Sequence, residues 1–107
     1  MSDWTEIIRC RVGVDDVSRA AQLLAQYLGT QLHGRRSVSY AQEFYHSRTQ
    51  NEEVLLFRNE GEDGEQLLEG FPVDVVVLQV FRRVGADDVE RTREIEHAVK
   101  RAEEREN

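Results

Sequence analysis

Residues 73–81, VDVVVLQVF, constrain what this chain can become more than any other stretch. β-Branched side chains pack well on a pleated surface and lose rotamer freedom in a helix. A run of them interrupted only by Asp74 and Gln79 is too apolar for a strand with one wet face, so it belongs in the interior of a sheet. Val75, Val77, Leu78 and Val80 are expected there. The remainder of the chain must then supply neighbouring strands and a layer that covers them.

Residues 4–12, WTEIIRCRV, alternate as a strand. Trp4, Ile8, Cys10 and Val12 fall on one face and Thr5, Arg9 and Arg11 on the other, with Ile7 the exception. Residues 16–28 read as a helix, because Val17, Ala20, Ala21, Leu24 and Leu28 recur on one apolar face. Asp15 or Asp16 can cap its first turn, and Gly29 can take the left-handed conformation just past its end. Val38, Tyr40 and Phe44 share a strand parity, which predicts a strand over 36–45, followed by a polar turn over 47–52. Residues 53–58, EVLLFR, form a short strand that is apolar on both parities. Residues 59–70 hold three glycines and read as a loop. Residues 88–102 read as a second helix, with Asp87 and Glu90 placed as a capping box. The run Glu103, Glu104, Glu106 puts negative charge at the negative end of its dipole, so that end is expected to fray.

The order β-α-β-β-β-α fits one domain over residues 1–107. The expected class is α+β: a small antiparallel or mixed four-stranded sheet with two helices on one face, Leu24 and Leu28 packed against it.

Charge is unevenly distributed. The net charge is −7, yet residues 1–50 sum to +1. Residues 51–70 hold seven acids against Arg58 alone, a net −6. A field of that sign attracts basic partners and repels nucleic acid and anionic lipid. Glu60, Glu62, Asp63 and Glu65 are the candidate partner-binding residues. The bases are thirteen Arg and one Lys, a bias that fits a GC-rich bacterial genome.

No apolar run approaches the roughly 18–20 residues of a membrane span. Residues 1–6 lack the basic and apolar regions of a signal peptide, so a cytoplasmic protein is expected. A single cysteine excludes an internal disulfide and a cysteine-based zinc site. Cys10 sits on the apolar parity of its strand and reads as an inert core residue. His33, His46 and His97 show no metal-ligand spacing. The acidic loop is not an EF-hand: aligning Gly64 with the invariant glycine puts Gly61 and Gly70 where carboxylates are needed. No nucleophile elbow and no phosphate-cradling glycine loop is present. Neither enzyme activity nor any metal or cofactor is expected. The segment over 33–48 mixes Arg35, Arg36 and Arg48 with Tyr40, Phe44 and Tyr45. Such a mixture can bind single-stranded nucleic acid, but the overall charge opposes it.

One further pattern is present. Glu43-Phe44-Tyr45 is followed by a strand ending in Arg58-Asn59, then Asp63-Gly64-Glu65, Phe71-Pro72 and the apolar strand. Over residues 33–80 this resembles a set of small, acidic actinobacterial proteins, some of them similar to immunity proteins that neutralise a toxin. The resemblance implies a βα-plus-sheet architecture and carries over no functional residue. Together these features lead to a non-catalytic, immunity- or antitoxin-like protein-binding domain that offers its acidic loop to a basic protein, such as a toxin. The alternative is a self-associating structural domain, a homodimer in which Arg35, Arg36 and Arg48 meet the acidic loop of a second copy. A DNA mimic and an enzyme rank below both.

Overall fold

The computed structural model describes residues 3–83 and 88–106. Seven elements follow in chain order: β1 (Trp4–Val12), α1 (Val17–Leu28), β2 (His33–Arg35), β3 (Phe44–Arg48), β4 (Glu52–Arg58), β5 (Val76–Arg83) and α2 (Asp88–Glu106). They form one five-stranded sheet in the order β1-β5-β4-β3-β2, and every pairing is antiparallel. The fold is α+β, but the expected four strands are five and the order is β-α-β-β-β-β-α.

The apolar run behaves as its composition requires. β5 lies between β1 and β4, and Val76, Val77, Leu78 and Val80 are fully buried. Val75 is buried just ahead of it. Both helices cover one face of the sheet. α1 lies against β3 and β4, α2 against β1, and the helices pack on each other. On that face Ile8, Val12, Val54, Leu56, Val76, Leu78 and Val80 meet Ala20, Leu24, Ile95 and Val99. Each buried Leu or Val contributes about 1.5–3 kcal/mol by leaving water. Leu24 is fully buried there, and Leu28 packs against the cluster at its edge.

The ends of α1 follow from its sequence. Asp16 accepts hydrogen bonds from the N–H groups of Ser18 and Arg19 at 2.8 and 3.3 Å. Gly29 is left-handed, with φ of 66°, and its N–H closes on the carbonyl of Ala25 at 3.0 Å. The C-terminal end of α2 departs from expectation, running on to Glu106 rather than fraying. Two of its acids are taken up by the N-terminal half of the chain. Glu103 Oε2 accepts from the Gly13 N–H at 2.6 Å, and Glu106 pairs with Arg19 at 3.1 Å. Gly13 permits this approach, since a Cβ there would stand 2.7 Å from Glu103 Oε2. At the other end, the expected Asp87 cap lies outside the described residues.

The strand expected over 36–45 is not formed. Residues 36–43 connect the short edge strand β2 to β3, and only Phe44 and Tyr45 of the segment lie in a strand. Ser37 reverses the chain: its Oγ accepts from the Ser39 N–H at 3.2 Å, and its carbonyl accepts from the Tyr40 N–H at 3.2 Å. Tyr40 and Phe44 do meet, with ring centroids 4.6 Å apart, because the connection folds back over β3 and not because they share a strand.

β1 also differs in one respect. Its register with β5 shifts between Glu6 and Ile8, leaving Ile7 as the extra residue of a bulge. Trp4 pairs with Arg83 and Ile8 with Val80, three positions apart on an unbroken strand. Trp4 and Ile8 therefore lie on opposite faces, and Trp4 leaves the helix-covered core expected for it. Ile7 packs against that core instead.

The second face of the sheet is half covered. Phe57, Val75 and Val77 form a second small core with Tyr40, Phe44, Leu55, Leu67, Leu68 and Phe71. Tyr40 comes from the connection 36–43 and Leu67, Leu68 and Phe71 from the loop 59–75, and these two segments cap the end of the sheet near Arg58. Cover on both faces explains why β4 is apolar on both parities. The opposite end of this face carries Trp4, Arg48, Glu53, Phe81 and Arg83.

Candidate protein-binding surface

The acidic loop is built on Asn59. This residue continues the parity of Leu55 and Phe57 past the end of β4, so its side chain enters the second core, where it is 0% exposed. An amide there must find partners or lose its hydration without return. Its Nδ2 donates to the carbonyls of Leu68 at 3.0 Å and Phe71 at 2.8 Å, with Pro72 at 3.4 Å, and its Oδ1 accepts from the Leu68 N–H at 2.8 Å. Its backbone N–H donates to the Val75 carbonyl at 2.9 Å. One residue thus holds both ends of the loop.

The tip closes on itself. Glu60 and Gln66 form an isolated β-bridge, and the Gly61 N–H donates to the Glu65 carbonyl at 2.8 Å. The Asp63 N–H donates to Glu65 Oε2 at 3.0 Å. The four candidate acids therefore share one tip but differ in state. Glu62, Asp63 and Glu65 are exposed. Glu60 is half-buried and lies 3.5 Å from Arg58 as an ion pair.

A second loop is fastened beside the first. The Ala41 N–H donates to the Glu60 carbonyl at 2.9 Å. This holds the connection 36–43 against the acidic tip, and Arg36, Ser37, Val38, Tyr40, Ala41 and Glu62 line a shallow depression between them. Val38 is 78% exposed at its rim. The bases Arg35, Arg36 and Arg48 do not make one patch. Arg36 lines the same depression as Glu62, whereas Arg48 lies at the far end of the sheet, over Trp4.

Other clusters with chemical potential have structural partners. Glu52 is buried at the end of the sheet and accepts from Arg82 at 2.8 Å and from both Nε and Nη2 of Arg91 at 2.7 and 2.8 Å. Burial pushes its pKa up, but the hydrogen bonds and charges of Arg91 and Arg82 outweigh burial and leave it below the usual range. This bidentate pair joins the N-terminal half of α2 to β4. His46 and Glu53 lie 3.1 Å apart on the second face, while Ser47, the adjacent hydroxyl, belongs to the opposite face by parity. Burial, followed by Glu103 and Glu96, pushes the Cys10 thiol up to about 11, so it is protonated and unreactive at neutral pH. Among the described residues no group of three or more His, Cys, Asp or Glu side chains is placed to hold a metal ion. No helix among them is long and apolar enough to cross a membrane.

No family model, curated protein or solved structure matches the chain. Composition located the acids; the role of Asn59 and the neighbouring Val38 were missed. A parity count carried one residue past β4 would have placed Asn59 inside, and a buried Asn at the mouth of a loop implies backbone partners. Val38 carries no comparable signal, because its exposure depends on the turn at Ser37.

Proposed function

We propose that this chain is a non-catalytic protein-binding domain, immunity- or antitoxin-like, that recognises a basic protein through the joined tips of its two loops. The observation that carries the reading is the pinning of the acidic loop by Asn59, together with the Ala41–Glu60 hydrogen bond that sets Val38 beside the acids. A solubilising loop has no need of a fixed conformation. A binding surface gains from one, because ordering it on contact would cost affinity. The acids supply steering and Val38 supplies an apolar contact, the division of labour expected of a polar rim and a buried centre. The loop is thus a preformed element.

The test is recovery of a partner from the native host with the unaltered protein, followed by affinity measurements on purified components. Val38→Lys should weaken binding at least tenfold, since it places a charge that repels the basic partner at the centre of the contact, where each 1.4 kcal/mol is about tenfold. Undiminished affinity for this variant, with its fold intact by circular dichroism, would place the interface elsewhere.

A further inference from the structure

The uncovered half of the second sheet face carries a charge pattern opposite to that of the loops. Two guanidinium groups stand over the Trp4 ring, Arg48 at 5.2 Å and Arg83 at 5.3 Å from its centroid. Arg9 and Arg11 extend the same face along β1, opposite Gln79 and Val77. The two acids of this face are paired within it: Glu6 accepts from Arg9 at 3.0 Å and from Gln79 at 2.8 Å, and Glu53 lies 3.1 Å from His46 and 3.9 Å from Arg48, which leaves an excess of two positive charges. With four arginines against two glutamates, these strand residues make a basic surface on a chain whose net charge is −7.

We infer that this surface docks the acidic tip of a second copy of the chain, Glu62, Asp63 and Glu65 meeting Arg48, Arg83 and Arg9 around Trp4. Charge complementarity selects this occupant. The tip is an exposed acidic segment of the same chain and is held by its own backbone hydrogen bonds. It cannot reach the basic surface of its own molecule, because the loop is pinned over the opposite end of the same face. The contact is head-to-tail, so each copy offers one tip and one basic face, and association is open-ended. Exposed charge pairs are individually weak, so the assembly depends on concentration and salt. The inference shares the acidic tip with the proposed function but does not need a foreign partner to exist. Where such a partner exists, it competes with self-association for that tip.

Trp4 is the only tryptophan of the chain, so its fluorescence reports on this surface directly. Sedimentation velocity and Trp4 emission are followed together over protein concentration, at about 0.01 M and about 1 M salt, where the Debye length is about 30 Å and 3 Å. The expected result is a rise in sedimentation coefficient at low salt, accompanied by a shift in Trp4 emission, and both reversed at high salt. Arg48→Glu with Arg83→Glu should sediment as a monomer, and so should Glu62→Arg with Asp63→Arg. An equimolar mixture of these two double variants should associate, since the acidified face of one now fits the basic tip of the other. A monomeric wild-type protein at low salt would overturn the inference, as would association unaffected by salt or by either double variant, or a mixture of the two that fails to associate. Quenching of Trp4 by a single-stranded oligonucleotide, in a protein that stays monomeric at low salt over the whole concentration range, would assign the face to nucleic acid and equally overturn it. Arg48→Glu with Arg83→Glu leaves the tip intact, so its retained binding of a foreign partner separates this inference from the proposed function.

Discussion

Replacing Asn59 by Ala removes the side chain that organises the acidic loop. Three of its hydrogen bonds have good geometry, those to the Leu68 carbonyl, the Phe71 carbonyl and the Leu68 N–H, at 3.0, 2.8 and 2.8 Å. At about 1 kcal/mol each in net terms, their loss costs about 3 kcal/mol. The loop can limit that cost by peeling away and wetting its carbonyls, which exposes Leu67, Leu68 and Phe71 from the second core. Asn59→Asp should cost more than Asn59→Ala, because a buried carboxylate would face carbonyl oxygens with no proton to donate. Urea titration gives the stability, and amide hydrogen exchange over residues 60–72 gives the local effect. Exchange there should accelerate while the strands β1, β4 and β5 stay protected. A loss below about 0.5 kcal/mol for Asn59→Ala, within the range of ordinary surface substitutions, together with unchanged exchange, would show that Asn59 does not hold the loop.

Two further outcomes test the frame that carries the loop. Leu24→Ala should cost about 2–5 kcal/mol in a denaturant titration, since Leu24 is fully buried between α1 and the sheet; a loss below about 0.5 kcal/mol would show that α1 does not face the core. Glu52→Ala should cost roughly 3–5 kcal/mol by leaving Arg82 and Arg91 without their shared carboxylate. Because the folded pKa of Glu52 lies below its ordinary value of 4.5, its contribution is fully present above that value and is lost as the pH falls through the folded pKa. Stability measured from pH 6 down to the acid range should therefore fall less steeply in Glu52→Ala than in the wild type. Identical slopes would refute the assignment.

The elements that the sequence made legible are those whose periodicity is set by one covered face. α1 announced itself through Val17, Ala20, Ala21, Leu24 and Leu28, and β5 through its β-branched run, interrupted only by Asp74 and Gln79. β2 did not, because His33, Gly34 and Arg35 are all exposed and are ordered only by pairing with β3. Parity misled in two places. Tyr40 and Phe44 share a side through a folded-back connection, and Trp4 changes face through the bulge at Ile7, whose break in the alternation was visible but has no hand from sequence alone. The acids of the candidate site were found by counting charge. Their fixed arrangement was hidden because Asn59 binds backbone groups nine to thirteen residues further on, which no side-chain pattern records. The basic face escaped for a related reason: Arg9, Arg48 and Arg83 lie far apart in the chain and meet only once the register of the sheet is known.

In the proposed function the acidic tip steers a basic partner onto a preformed surface. The most direct test of that steering is the association rate of the recovered partner with the wild type and with a variant carrying Glu62→Gln, Asp63→Asn and Glu65→Gln. These substitutions are isosteric and leave the backbone bonds of the tip in place, so the melting temperature should stay nearly unchanged. At about 0.01 M salt, with a Debye length of about 30 Å, the variant should associate roughly tenfold more slowly than the wild type. At about 1 M salt, where that length is about 3 Å, the two rates should converge. Equal rates for wild type and variant at every salt concentration would contradict the account and reduce the acidic loop to a solvated connection.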